Sequence, residues 1–275
     1  MKVLLYGNCQ TWAISQIIQH PDIKIKNVVC HSTDLTKKEF DKEIKFADII
    51  ITQPIRENYR NKEYLSTSYV VKNANQNADI ILFPSLMAGN IYYFDSISDQ
   101  HLKQSTTIFT HKNLVDYYMD GGTDVNYFNT NFVTNKNLLA NKQLESNAKN
   151  IIGELKQRED EAIKQYGLPF IPMSHFIEDN YKKNLLFYMP NHGTSHLYQY
   201  LVQKICEKIG INLDSVDLKK DPQQQHNRMI VYSCLENIVK FDISKCLPPK
   251  LILADKSNVD TTNDYIDSIF AMLKS

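Results

Sequence analysis

The chain is poor in the features that assign a protein to a specialised class at sight. Its 275 residues carry no net charge, with 31 Lys and Arg against 31 Asp and Glu. Phosphate-dominated binding shows as a basic excess, so this balance argues against a nucleic-acid partner while still allowing a local basic patch. No apolar run approaches the roughly 20 residues that a membrane-spanning helix needs. The opening segment, Met1 to Tyr6, holds one Lys and runs straight into Gly7-Asn8-Cys9, without the length or cleavage pattern of a signal peptide. The five cysteines (Cys9, Cys30, Cys206, Cys234 and Cys246) are an odd, scattered set with no C-x-x-C pair. That distribution argues against a disulfide framework or a cysteine-rich zinc site, and predicts reduced thiols in a soluble, cytoplasmic protein. There is no G-x-G-x-x-G and no G-x-x-x-x-G-K-[ST], which disfavours a dinucleotide oxidoreductase and a P-loop enzyme. No internal repeat is visible.

What is present is enough for a large core. Hydrophobic residues make up 43% of the chain and aromatics 11%, which excludes a disordered or collagen-like polymer. The length suits one domain over 1–275, with room for an insertion. Lys2–Tyr6, Val28–Cys30, Asp48–Thr52 and Asp79–Phe83 read as short buried strands. Helical spacing separates them, with Ile14, Ile17 and Ile18 in one segment and a charged amphipathic pattern over Lys37–Phe46 in the next. Alternating strands and helices predict an α/β fold, a mostly parallel sheet flanked by helices. Residues 103–166 are rich in Asn, Tyr and Lys, and their last part, from Asn137 to Lys164, has helical spacing; the segment reads as a largely helical insertion or cap. Beyond Gly167-Leu168-Pro169-Phe170, the apolar Leu185–Met189 precedes a helix with Leu197, Leu201, Ile205 and Ile209 on one stripe and Gly210 at its end. A last helix is expected from Tyr265 to Leu273.

The chemistry is expected where strands end and helices begin, because open α/β sheets bind ligands at the carboxyl edge. Gly7-Asn8-Cys9-Gln10 sits at the first such junction. The unpaired N–H groups of a helix start favour a thiolate at Cys9 and would hold an oxyanion, while Gly7 permits a tight turn. A small thiol packed beneath the helix fits the residue type equally well; the position favours the chemical reading. Asn191-His192-Gly193-Thr194-Ser195-His196 forms the second constellation. His192, just after an apolar strand, has the reference pKa of a general base near neutrality. Asn191, Thr194 or Ser195 would cap the following helix. His192 and His196, four apart, share a helix face in this reading, but no Glu lies between them and no third ligand is near, so no metal is expected. The turn Gln53-Pro54-Ile55-Arg56 continues to Tyr59 and Arg60. Its guanidinium groups suit phosphates and its Tyr suits a base, though a solvated surface helix fits this stretch too. Ser85, after the fourth strand, would line the same pocket. His20, before Pro21, reads as a surface cap at a helix end, and His31, after a strand, could approach the site; for these and for His101, His111, His175 and His226 a solvated side chain is the plain reading.

Taken together, the Gly7-Asn8-Cys9-Gln10 start, the Thr52-Gln53-Pro54-Ile55 turn with Arg56 and Tyr59 behind it, the Phe83-Pro84 loop and the Asn191-His192 pair resemble the WcbI family of polysaccharide biosynthesis proteins. These segments span Lys2 to Ile209. The nucleophile position also resembles that of the SGNH hydrolases, with Cys in place of Ser and a flavodoxin-like or SGNH-like N-terminal part implied; no Asp-x-x-His pair supplies an acid partner. The resemblance implies a coenzyme A-dependent O-acetyltransferase of capsular or surface glycan biosynthesis, with acetyl-CoA as donor and a sugar hydroxyl as acceptor. In it Cys9 and His192 would be catalytic. Gly7, Asn8, Gln10, Ser85, Asn191 and His196 would position substrate, and Gln53, Arg56, Tyr59 and Arg60 would hold the coenzyme. A Cys-dependent esterase or deacetylase, and a non-catalytic glycan- or partner-binding protein, are the alternatives. The oligomeric state is not readable from the sequence.

Overall fold

The computed structural model describes residues 1–98, 109–213, 216–252, 258–259 and 261–274. In chain order these form β1 (Lys2–Gly7), α1 (Cys9–Ile17), β2 (Lys24–Val29), α2 (Lys37–Phe46), β3 (Ile49–Thr52), α3 (Thr67–Asn73) and β4 (Asp79–Leu82). There follow β5 (Ser96–Ser98), β6 (Phe109–His111), α4 (Lys112–Met119), α5 (Val125–Phe128), α6 (Asn141–Tyr166) and α7 (Ser174–Asn180). The chain ends with β7 (Phe187–Met189), β8 (His192–Gly193), α8 (Ser195–Ile209), β9 (Leu251–Ile252), β10 (Asn258–Val259) and α9 (Thr262–Lys274). The first six residues of the expected insertion at 103–166, and His101, lie outside the described residues. None of the described helices is long and apolar enough to cross a membrane.

Two compact units emerge. One comprises Met1–Leu86, Gly153–Phe176 and Ser195–Pro222; the other comprises Met87–Ile152, Ile177–Thr194 and Gln223–Ser275. The first is the α/β unit that the alternating pattern predicts. Its sheet is parallel in the order β2-β1-β3-β4, with Tyr6 beside Val28 on one side and Thr52 on the other, and Thr52 beside Leu82. The central strands β1 and β3 are buried almost throughout, as near-continuous apolar runs should be. Past β4 the sheet gains one more bridge, where the Leu82 amide donates to the Pro169 carbonyl (2.8 Å) and the Ile171 amide to the Leu82 carbonyl (2.8 Å). Leu4, Tyr6, Phe40, Ile44 and Ile50 lead one core cluster between sheet and α2. A Thr36–Glu39 capping box starts α2.

Several boundaries differ from expectation for identifiable reasons. β2 begins at Lys24 rather than Val28 because it is an edge strand whose lysines face solvent, which hides it from an apolar-run search. α6 runs from Asn141 to Tyr166, and Gly167 ends it with a φ of +61°, a left-handed value that glycine adopts freely. The strand before His192 does not join the parallel sheet. β7 and β8 form a separate antiparallel pair, so His192 sits in a strand and α8 starts three residues later. His192 and His196 therefore do not share a helix face.

The second unit carries short antiparallel pairs β5–β6, β7–β8 and β9–β10. Its core is aromatic, with Tyr92, Tyr93, Phe128, Phe187, Tyr232 and Tyr265 fully buried. The Tyr93 hydroxyl donates to the Phe187 carbonyl (3.0 Å), and the Tyr92 hydroxyl lies 2.9 Å from each of the Tyr181 and Asn184 carbonyls.

Candidate active site

The β1–α1 junction is built by a hydrogen-bonded network of amide side chains. Asn8 is the N-cap of α1, with its Oδ1 accepting from the Gln10 amide (2.9 Å). Its own amide donates to Gln53 Oε1 (2.8 Å), and its Nδ2 donates to Ser85 Oγ (3.1 Å). Gln10 is fully buried. Its Nε2 donates to the Leu86 carbonyl (2.8 Å), and its Oε1 accepts from Gln53 Nε2 (2.8 Å) and the Leu86 amide (3.0 Å). Three sequence-predicted residues from three strand ends, Gln10 after β1, Gln53 after β3 and Ser85 after β4, thus lock together around the loop that carries Cys9. Gly7 is required sterically, since a Cβ there would lie 2.6 Å from Gln53 Oε1 and 2.8 Å from Thr11 Cγ2.

Cys9 is the first residue of α1 and is half-buried. Burial pushes its thiol up from the usual range, and the Cys9 backbone N–H pulls the other way without prevailing. The expectation of a thiolate favoured by the helix start is therefore corrected: desolvation of the charged form outweighs the local N–H. A resting thiol at this position needs a base before it can act as a nucleophile.

His192 lies in the other unit and is a base of unusual kind. Burial first, then the neighbouring His226 imidazole, pushes it down to about 4, against a favourable contact with the Asn227 backbone. The two imidazoles meet edge to face with centroids 5.6 Å apart. Nδ1 of His192 is buried and makes no hydrogen bond among the described residues. Asn191 is half-buried beside it, and His196 is exposed on α8. Capping of α8 differs from expectation. The Thr194 hydroxyl donates to the Leu185 carbonyl (2.8 Å), while the Ser195 amide donates to Asp221 Oδ2 (3.1 Å), a distant carboxylate that no local pattern marks.

The four residues expected to hold a coenzyme part company. Gln53 is committed to the network above. Arg60 donates from Nη1 to the Thr33 (2.9 Å) and Cys30 (3.4 Å) carbonyls, and the Tyr59 hydroxyl bonds the Cys30 thiol. Those bonds hold a strained turn in which Asn58, Arg60 and Asn61 all have φ near +50 to +60°. Arg56 faces a cavity of about 460 Å³, walled by the loops after β3 and β4, by Ser85, and by α6 residues Arg158, Glu161, Gln165 and Tyr166. That helix wall was missed in sequence, although 158, 161, 165 and 166 fall on one helical stripe.

Sequence reasoning also missed a buried cluster in the second unit. His111 Nδ1 lies 2.6 Å from Asp95 Oδ1 and Nε2 lies 2.9 Å from the Ile230 carbonyl, so both ring nitrogens face acceptors. Tyr232 stacks on the ring (4.3 Å) and donates to Asp95 Oδ2 (3.2 Å). His111, read as a solvated side chain, is fully buried.

The family profile of the polysaccharide biosynthesis enzyme WcbI matches residues 2–214. The chain belongs to the WcbI family. A solved structure of WcbI, described as a novel polysaccharide biosynthesis enzyme in its native form without a disulfide between coenzyme A and one of its cysteines, superimposes with a TM-score of 0.79. It covers 99% of this chain and 89% of its own length at 17% identity, a likeness of fold. No curated protein matches the sequence. This WcbI family member is thus an α/β protein of a family of polysaccharide biosynthesis enzymes, as the sequence resemblance implied.

Proposed function

We propose that the protein is a coenzyme A-dependent O-acyltransferase that acetylates a sugar hydroxyl of a capsular or surface polysaccharide precursor in the cytoplasm. The observation that carries this reading is a cysteine at the first position of α1, on the carboxyl edge of a parallel sheet, between chain neighbours Asn8 and Gln10 that a hydrogen-bond network holds in place. Membership of the WcbI family supports it, and so does the coenzyme A named beside a cysteine in the similar solved structure.

In this reading Cys9 is the nucleophile and His192 the base. The Cys9 proton passes to a base, the role given to His192, and the sulfur attacks the thioester carbonyl of acetyl-CoA. The tetrahedral oxyanion collapses, expelling the coenzyme thiolate, which takes the proton back from the imidazole. The acceptor hydroxyl then gives its proton to His192 as its oxygen attacks the acyl-cysteine, and the Cys9 thiolate leaves and is reprotonated. The shorter route has His192 activate the hydroxyl for direct attack on acetyl-CoA, with Cys9 shaping the site.

Calorimetric titration with coenzyme A and intact-mass spectrometry after incubation with acetyl-CoA test the reading. Binding, together with a mass gain of one acetyl group that vanishes in Cys9→Ala, is expected for the covalent route. Full transfer by Cys9→Ala would eliminate that route. Absence of coenzyme binding would overturn the proposal. Acetate release without an acceptor would indicate an esterase instead.

A further inference from the structure

The cavity beside Arg56 lies wholly within the α/β unit, and its walls describe a ligand. Its volume of about 460 Å³ falls within the range of small-molecule sites. Two cations (Arg56, Arg158) face two carboxylates (Glu57, Glu161), so the walls carry no charge excess. That balance disfavours a polyphosphate such as the nucleotide end of a coenzyme, which calls for a surplus of donors and positive charge. The apolar lining is rigid and flat: Pro54 and Pro84 from the two loops, with half-buried Tyr166 and Phe170. Tyr166 is fixed in place because its hydroxyl is bonded by the Ser68 and Thr67 side chains, which leaves the ring rather than the hydroxyl for a ligand. Glu161 is also oriented, since Gln157 Nε2 donates to its Oε1 (2.8 Å).

Flat apolar faces beside planar groups that donate and accept in pairs suit a ring with one C–H face and a rim of hydroxyls. The cavity is also linked to the loop that carries the candidate nucleophile. Ser85 lines it and accepts from Asn8 Nδ2, and Asn8 caps the helix that starts with Cys9. We propose that this cavity is the acceptor subsite, taking an uncharged pyranose of a glycan precursor and presenting one of its hydroxyls toward the Cys9 loop. As an acceptor subsite it rests on the transferase reading; as a sugar site it does not.

The test uses the full chain and two exposed positions on α6, Arg158→Ala and Glu161→Gln, whose folding is checked by circular dichroism. Saturation-transfer NMR with a panel of neutral methyl hexopyranosides and disaccharides, without coenzyme, should show ring C–H signals in the parent that are lost in the double variant. In the transfer assay the same variants should raise the acceptor KM by on the order of tenfold or more, the scale of a lost charge-assisted hydrogen bond, with coenzyme Kd unchanged. Displacement of the sugar signals by adenosine 3′,5′-bisphosphate would overturn the assignment. So would a full set of signals in the double variant, or no sugar signal in the parent. Sugar binding lost in the variants, in a parent that transfers no acyl group, would sustain the sugar site and refute the transferase reading alone.

Discussion

Cys9 and His192 are each tuned away from their solution behaviour by burial, the thiol upward and the imidazole downward. The thiol is pushed up from 9.0 and so holds its proton at neutral pH, while the imidazole, held down to about 4, stays an unprotonated base. Alkylation of Cys9 by iodoacetamide, followed by peptide mass in a Cys246→Ser background that removes the other half-buried thiol, should accelerate only as pH rises past 9. A midpoint near 6 would contradict the burial argument. His226 contributes to the low value of His192 by like-charge repulsion. His226→Gln should therefore move the acid limb of kcat/KM upward in pH with little change on the plateau, because the residue acts through His192. A limb that stays in place would remove His226 from that role.

At the scale of elements, the loops after β1, β3 and β4 are joined by side-chain amides in addition to backbone bonds such as that from the Gln53 amide to the Tyr6 carbonyl (3.1 Å). Gln53 serves both the Asn8 amide and Gln10 Oε1 while 2% exposed. Gln53→Ala leaves the half-buried Asn8 N–H without its acceptor, at a cost of about 1–3 kcal/mol, while Gln10 Oε1 keeps its bond from the Leu86 amide. A lowered denaturation midpoint with unchanged m-value, and a fall in kcat/KM larger than the stability loss explains, is the expected result. Asn8→Ala removes the α1 cap, worth about 1 kcal/mol, and also releases Ser85. An Asn8→Asp variant keeps the capping oxygen, so it should recover stability more fully than activity. In α6, the buried Glu159 accepts from the Met173 and Ser174 amides (2.6 and 3.0 Å) and from the Ser174 hydroxyl (2.6 Å), anchoring the start of α7.

For the whole molecule, the buried imidazole makes stability depend on pH with a definite sign. The folded chain leaves His192 neutral until about pH 4, whereas an unfolded imidazole takes its proton near 6.5. Between those values the unfolded state binds more protons, so the contribution is complete above 6.5 and is lost as pH falls toward 4. The loss is at most about 3–4 kcal/mol, at roughly 1.4 kcal/mol per unit. Urea denaturation across that interval should show a shallower pH slope in His192→Asn than in the parent; equal slopes would refute it. Asp95, lowered overall because the pull of His111 and its hydrogen bonds outweighs burial, acts in the same sense at lower pH. Its contribution is present above the ordinary carboxylate range and fades as the medium becomes more acid.

Local pattern alone determined the α/β class, the strands β1, β3 and β4, the span of α2, the stripe of α8 and the junction at Gly7-Asn8-Cys9-Gln10. Each of these depends on near neighbours: apolar runs, 3.6-residue spacing, a capping side chain, a glycine where a Cβ would clash. Tertiary structure decided what depends on surroundings. It put His192 in a strand, because β7–β8 pairing captured the residues before the helix. It buried His111 against Asp95 and Tyr232, and it set α6 opposite the Arg56 loop to close a cavity. It reversed the expected ionisation of Cys9, because the desolvation of a thiolate is set by everything packed around it, and no short stretch of sequence encodes that.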